Sequence, residues 1–415
     1  MSTLKVNKLR DTAGSADAIT LDPNGGAVLA GVTTVTSVKV GAAVTISESG
    51  IEASGIGITC ANINGAQIGG RRNKVINGAM NICQRATTFS VTGSTNAYVV
   101  PDRFKCVNVH DGAYTLTQST TSPDGFSSSI KVDVTTADTS LTTSQRLYFA
   151  HFIEAQDLQD LGYGTSSAKE VRVSFYVRSN KTGNYTFALN QADNSFKNLS
   201  FQYAISSADT WERKSFVIPG DTAGVINNDT GTGIELYWWL AAGPTYTSGS
   251  LRSDWTAYSN GDFAAGQGVN LLDSTSNEWY LTGVQFEVGS QVTPFEHRSY
   301  GEELTLCQRY CYVTTGGGAG VGVGGGSNAV HRCQMNLPVT MRAAPSVTMN
   351  GSTMYTYDGA NSAYFNGFQA VHSTNQAIDW ETSSSELTAG SVTAYRPVIA
   401  YINSSSGGVI CSAEL

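Results

Sequence analysis

Hydrophobic positions in this chain recur mostly at every second residue. The clearest run is Val171-Arg172-Val173-Ser174-Phe175-Tyr176-Val177-Arg178-Ser179, with Val171, Val173, Phe175 and Val177 on one face and Arg172, Ser174, Tyr176 and Arg178 on the other. Successive side chains of an extended chain point to opposite sides, so this alternation predicts a strand with one buried face. Lys181-Thr182-Gly183-Asn184 then reads as a turn, and Tyr185-Thr186-Phe187-Ala188-Leu189 as the return strand. Further strands are predicted over 211–218, 234–240 and 279–288. Many short strands with turn residues between them indicate an all-β sandwich or barrel. Helical spacing is the exception. It occurs at Ile153 to Leu161, and after Ser299, where Ser299 and Glu302 form a capping box ahead of Glu303, Leu304, Leu306 and Cys307.

Texture divides the chain into three. Residues 1–70 carry Gly-broken aliphatic alternations (27–31, 35–41, 44–46 and 56–59), and the first aromatic residue is Phe89. Small aliphatics alone cannot build a broad core. Such a segment either packs against copies of itself as a fibrous shaft or is a tail that orders on docking. Residues 71–298 hold five of the six tryptophans and read as the sandwich. Residues 299–415 read as a second, smaller β domain, with strands at Ser346–Met349 and Val392–Tyr395 and alternation through Val409-Ile410-Cys411. Between these, residues 316–326 are almost all Gly and form either a flexible loop or a strand pair that admits only small side chains.

Composition narrows the class. Charged residues are only 14% of the 415, yet 40% are hydrophobic, the opposite of a disordered chain. The net charge of −8, with no basic stripe beyond Arg71-Arg72-Asn73-Lys74, argues against nucleic-acid binding and a polybasic membrane anchor. No apolar run is long enough to cross a membrane as a helix, and the first residues lack a signal-peptide core. The seven cysteines (Cys60, Cys83, Cys106, Cys307, Cys311, Cys333 and Cys411) are odd in number and irregular in spacing. They read as buried free thiols rather than disulfides or a zinc site.

Asn73-Lys74-Val75-Ile76-Asn77-Gly78-Ala79-Met80-Asn81-Ile82-Cys83-Gln84-Arg85, followed by Pro101-Asp102-Arg103-Phe104, resembles the opening of a bacteriophage fibre module. The stretches 281–289 and 293–304 are similar to its closing stretch. Cys307-Gln308-Arg309-Tyr310 and Leu337 to Pro345 resemble the start of the C-terminal module of the same proteins. Leu4-Lys5-Val6-Asn7-Lys8 is similar to fibre proteins of marine and cyanobacterial phages. The resemblance implies a homotrimeric tail fibre with a carbohydrate-binding-like jelly roll. Residues 1–70 would dock to other virion proteins, and 299–415 would form the tip facing a host-surface glycan or receptor. It also implies a virion protein, made in the host cytoplasm and released by lysis, with no catalytic residues or cofactor. From the residues themselves, Asn77-Gly78 is a turn dipeptide, and Asp102 and Arg103 offer an ion pair pinning the first strand.

Sugars expose apolar C–H faces that aromatic rings cover. Tyr246, Trp255 and Tyr258, in a Gly-Ser-Asn-rich stretch, are one candidate binding set; Tyr355, Tyr357, Tyr364, Phe365 and Phe368 are another. Packing of a loop or a subunit contact would use the same residues. In Tyr237-Trp238-Trp239, Tyr237 and Trp239 share a face and at least one ring is expected in the core. No nucleophile elbow, phosphate loop or zinc-protease motif occurs, and the five histidines are scattered. A glycan hydrolase would need two carboxyls about 5–10 Å apart; Asp254, Asp262, Asp273 and Glu278 are the loop candidates. Asp221, Asn227, Asn228 and Asp229 could supply oxygens to calcium without forming an EF-hand. The rival to adhesion is a non-adhesive neck, baseplate or capsid decoration.

Overall fold

The computed structural model describes residues 71–415, apart from Asn194, Ser290 and the short stretches 315–319, 327–330, 351–353, 368–369, 383–386, 393–395 and 403–407; before residue 71 it describes only short strands. The chain divides into two compact units, Met1–Ala61 and Asn62–Leu415. In the first, Lys8–Leu9, Ile19–Leu21 and Ala27–Leu29 form one antiparallel three-stranded sheet, and Ser37–Val40, Val44–Ser47 and Gly50–Ala53 form another. The alternation expected at 56–59 lies outside the described residues.

The second unit contains the predicted sandwich. One sheet has seven strands, in the order Thr95–Tyr98, Phe104–Val109, Arg146–Glu154, Thr232–Ala242, Gly183–Gln191, Lys197–Ile205 and Arg252–Thr256. The other has six, in the order Glu212–Ile218, Val171–Ser179, Glu278–Val288, Ser129–Thr136, Ala113–Ser119 and Thr88–Thr92. Neighbouring strands pair antiparallel, as in a jelly roll. The inner faces meet in an aromatic core: Phe175 lies 5.3 Å from Phe187 and 5.7 Å from Trp238, and Phe149 stacks 6.1 Å from Trp279. Val171, Val173, Phe175 and Val177 all point into it, as their spacing predicts.

Gly183–Gln191 is a strand, but not the hairpin partner of Val171–Ser179. It pairs with Lys197–Ile205 and Thr232–Ala242 in the opposite sheet, so the turn at 181–182 carries the chain across the sandwich. Near-continuous burial along this strand marks a central position covered on both faces. The predicted helix at 153–161 is shorter than its spacing suggests: the strand runs through Glu154, and only Ala155–Leu161 coils, as a 3-10 helix. Ser299 does cap the helix Tyr300–Gln308, accepting the Glu302 N–H at 3.3 Å.

Past that helix lie two further sheets. Cys311–Val313, Gly408–Ser412 and Ser346–Asn350 form one. The other has eight strands, in the order Ala370–Ser373, Ala377–Glu381, His331–Asn336, Gly320–Gly326, Pro397–Ile402, Met354–Tyr357, Ser362–Phe365 and Leu387–Gly390. Cys333, Met341, Phe365, Ile378, Trp380, Val398 and Cys411 share its core. The described part of the Gly-rich run is thus a central strand. Its composition has a steric cause: a Cβ on Gly324 would sit 1.7 Å from the Arg332 carbonyl oxygen of the neighbouring strand. Of the strand predicted at 392–395, residues 393–395 lie outside the described residues.

Buried charge joins this tip to the sandwich. Arg103, 1% exposed, pairs with Glu414, donates to the Phe152 carbonyl at 2.7 Å and lies 3.5 Å from the Tyr310 ring centre. Arg309 and the Tyr310 hydroxyl both reach the buried Glu154 carboxylate, at 2.6 and 2.7 Å. The expected Asp102–Arg103 pair is therefore corrected. Asp102 instead accepts from the Gln84 backbone at 3.0 Å and from its side chain at 2.6 Å, and lies 3.9 Å from Arg85. Arg103 has a left-handed backbone (φ 72°), which turns its side chain away from its neighbour. Asn77 is likewise left-handed (φ 60°), and a Cβ on Gly78 would lie 2.1 Å from the Val284 carbonyl oxygen. The opening motif is thus shaped by what packs on it.

Candidate functional site

Two sheet faces carry the predicted aromatic sets. On the outer face of the seven-stranded sheet, Tyr148 lies opposite Trp239, and Ala150 opposite Tyr237. Residues 243–265 return across this face as the short helices Pro244–Thr247 and Asn260–Phe263 flanking the edge strand Arg252–Thr256. Phe263 seats its ring 4.6 Å from Tyr237 and 5.0 Å from Trp239, and Tyr246 lies 5.4 Å from Trp239. Trp239 is consequently as buried as Trp238 in the core. Tyr246 accepts an Arg146 N–H at 2.6 Å. Tyr258, at the rim, is 38% exposed and stands 5.6 Å from Phe263. Trp255 lies apart: it donates its indole N–H to the Pro219 carbonyl at 2.8 Å, packs edge-on to Tyr163, and so fastens the edge strand to the core.

The eight-stranded sheet keeps a face that no described segment crosses. Tyr364, Tyr355 and Tyr401 stand opposite one another on three adjacent strands. Tyr355 stacks on Tyr401 at 5.1 Å and 18°, and lies 5.7 Å from Tyr364 at 33°. Such cross-strand aromatic pairs contribute about 0.2–1 kcal/mol each. Tyr355 commits both ring faces to its neighbours, so the ladder presents a ridge of ring edges and hydroxyls. Phe365, one residue beyond Tyr364, takes the other parity and is a core residue, edge-on to His331 at 4.8 Å. Phe368 lies outside the described residues.

Two residues along the strands from this ridge runs a second transverse row. Tyr357 is opposite Ile399, Ile399 opposite Val323, Val323 opposite Gln334, Gln334 opposite Asp379, and Asp379 opposite His372. Tyr357 and Ile399 are 38% and 41% exposed, and Gln334, Asp379 and His372 are exposed as well. At the polar end the surface dips into a depression of about 530 Å³, bordered by Arg332, Gln334, His372, Asp379 and Glu381. Arg332 is tied to Glu381 at 2.9 Å. This row joins an exposed ring and an apolar side chain to amide, carboxylate and imidazole groups, the chemistry that a sugar's C–H face and hydroxyls require. Of these residues the sequence reading named only Tyr357. The usable signal was parity: Arg332, Gln334 and Asn336 alternate with Cys333 and Met335, and Asp379 sits between Ile378 and Trp380.

The acids proposed for hydrolysis are held elsewhere. Asp262 takes the Ser250 N–H at 2.7 Å and Arg252 at 2.9 Å, Asp273 pairs with Lys181, and Asp254 is exposed on the edge strand. Glu278 is bound by Lys131 at 2.6 Å; against the opposing cost of desolvation, Lys131 and the Tyr280 hydroxyl hold its carboxyl below the usual range. Three of the four calcium candidates are likewise engaged: Asp221 by Lys197 at 2.8 Å and Gln191 at 3.0 Å, Asn227 by Asp193, and Asp229 by the Gly231 N–H. Among the described residues no three His, Cys, Asp or Glu side chains group to hold a metal. Cys83, Cys106, Cys307, Cys311, Cys333 and Cys411 are free thiols, and burial pushes their pKa values up. Cys60 lies outside the described residues.

No family model and no curated protein matches the sequence. Solved structures similar to this chain include the enzymatically active domain of tailspike protein 4 of bacteriophage CBA120, with 10% identity over 52% of this chain and 21% of that one, at a TM-score of 0.26. Another is the family 11 carbohydrate-binding module of Lic26A-Cel5E from Clostridium thermocellum, with 10% identity over 50% of this chain and 99% of that one, TM-score 0.25. A third is the CBM22-1–GH10 portion of xylanase 10B of the same bacterium, with 12% identity over 51% and 30% of the two chains, TM-score 0.26. The matched region spans about a fifth of the tailspike chain.

Proposed function

We propose that this chain is a non-enzymatic attachment subunit of a phage fibre, binding a host-surface glycan through the open face of its eight-stranded sheet. The observation that carries this is the transverse row from Tyr357 to His372, in which Tyr357, Ile399, Gln334, Asp379 and His372 are exposed and mixed in chemistry. The motifs at 73–104 and 281–304 support placement in a virion fibre. Residues 1–70 are the proposed docking and self-associating segment, in a homotrimer. That Asp262, Asp273 and Glu278 are each engaged by a different basic side chain supports binding over hydrolysis.

The test is a glycan array probed with full-length protein and with Tyr357→Ala. Binding to at least one glycan class, lost in the variant while its melting temperature stays within about 2 °C, is expected of a surface substitution that removes a contact. A wild-type protein that binds no glycan would overturn the adhesive reading and favour a decorating role.

A further inference from the structure

Resting on that reading, we infer that the ligand is a linear glycan without anionic groups, lying across the strands along the row that runs from Tyr357 and Ile399 to Gln334, Asp379 and His372. The direction follows from the register. Directly paired residues on successive strands make a straight line perpendicular to the strands, and five interstrand steps of roughly 4.8 Å give a row about 24 Å long. A pyranose ring advances a linear chain by about one strand spacing, so the row offers roughly one position per ring. A ligand running along the strands would instead leave the row after one or two residues. The ridge of Tyr364, Tyr355 and Tyr401 shares two strands with the row and flanks its Tyr357–Ile399 end.

Charge sets the ligand class. The row contains one carboxylate, Asp379, and no permanently cationic side chain. Arg332, two residues from Gln334, is paired with Glu381, so together they add no net charge beside the row. No lysine occurs after Lys214, so the tip has only arginines as fixed cations. Of these, Arg309 is bound to Glu154, and Arg342 donates to the Ala413 and Glu414 carbonyls at 2.8 and 3.0 Å, at the base of the tip. Arg396 is exposed beside Pro397, which lies opposite Gly325, in the line of Arg332 rather than in the row. A sulfated or uronic chain would meet Asp379 without a compensating cation in the row. Uncharged hydroxyls suit both Asp379 as acceptor and Gln334 as donor and acceptor. The two ends divide the work: Tyr357 and Ile399 cover C–H faces, and Gln334, Asp379 and His372 bind hydroxyls.

The experiment titrates full-length protein with neutral linear glucan, mannan and galactan oligosaccharides of increasing length, and with dextran sulfate as the anionic probe. For one neutral series, affinity is expected to rise with length to about six rings and then level off, matching the row. Asp379→Ala should weaken the longest oligosaccharide by about tenfold, the loss of roughly one good polar contact. It should leave the melting temperature unchanged, because Asp379 is exposed. Tyr357→Ala, at the opposite end, should lower the plateau to shorter chains. Tighter binding of dextran sulfate, or neutral-glycan affinity independent of length, would overturn this inference while leaving glycan attachment standing. No binding to any probe or array glycan would overturn both.

Discussion

The sandwich and the tip each display aromatic residues on one sheet face, and the two faces end differently. On the sandwich, Tyr148, Tyr237 and Trp239 are roofed by residues 243–265, with Phe263 wedged against them. On the tip, Tyr364, Tyr355 and Tyr401 form a ladder that nothing among the described residues crosses. Ring content is similar; what differs is whether the chain comes back over the face. A returning segment turns an aromatic face into a second core. Where no described segment returns, the same residues stay partly exposed.

The strongest way to break this comparison is at the roofed face. Trp239→Ala should destabilise the protein by about 3–5 kcal/mol, the usual result of emptying a buried tryptophan site, and should leave glycan affinity unchanged. Denaturant unfolding alongside titration would check it; a stability change under about 1 kcal/mol would mean that the roof is not packed as described. A smaller effect is expected at the join. Glu414→Ala leaves Arg103 buried and Arg85 short of an acceptor, and should cost about 2–3 kcal/mol. If the join couples the two regions, thermal unfolding should also separate into two transitions in this variant.

A third effect, comparable in size to that at the join, is one of pH. Burial raises the Asp102 carboxyl to about 6, against opposing help from Arg85 and Gln84. Its folded pKa lies above the unfolded value of 3.8, so the folded state binds the proton more tightly. Wild type should therefore gain stability relative to Asp102→Asn as pH falls from about 7 through 6, with the gain complete below about 4. A pH-independent difference between the two proteins would show that Asp102 does not titrate in this range.

Much of the sandwich was legible because alternation reports directly on burial. Val171 to Val177 were assigned to the right face from their spacing alone. Sheet membership was not legible. The turn at 181–182 looks like a hairpin turn, and only long-range pairing with Thr232–Ala242 sends the next strand to the other sheet. At the tip, Tyr355, Tyr357 and Tyr364 could be found because tyrosine draws attention. Parity puts Gln334 and Asp379 on an outward face, but that they and His372 line up in one row follows only from cross-strand pairings that span 7 to 76 positions of sequence. Asp102 and Arg103 show the same limit: adjacent in sequence, they serve Arg85 and Glu414.

Strict alternation in the tip strands also bears on how such a protein can change. In His331–Asn336 and Ala377–Glu381, Cys333, Ile378 and Trp380 belong to the core, while Gln334 and Asp379 belong to the surface. Exposed substitutions of this kind cost typically within about 0.5 kcal/mol. The positions that would set recognition are therefore separable from those that set folding. A lineage carrying this sheet could rewrite the row residue by residue, changing the chemistry it presents while the fold beneath it stays under unchanged selection.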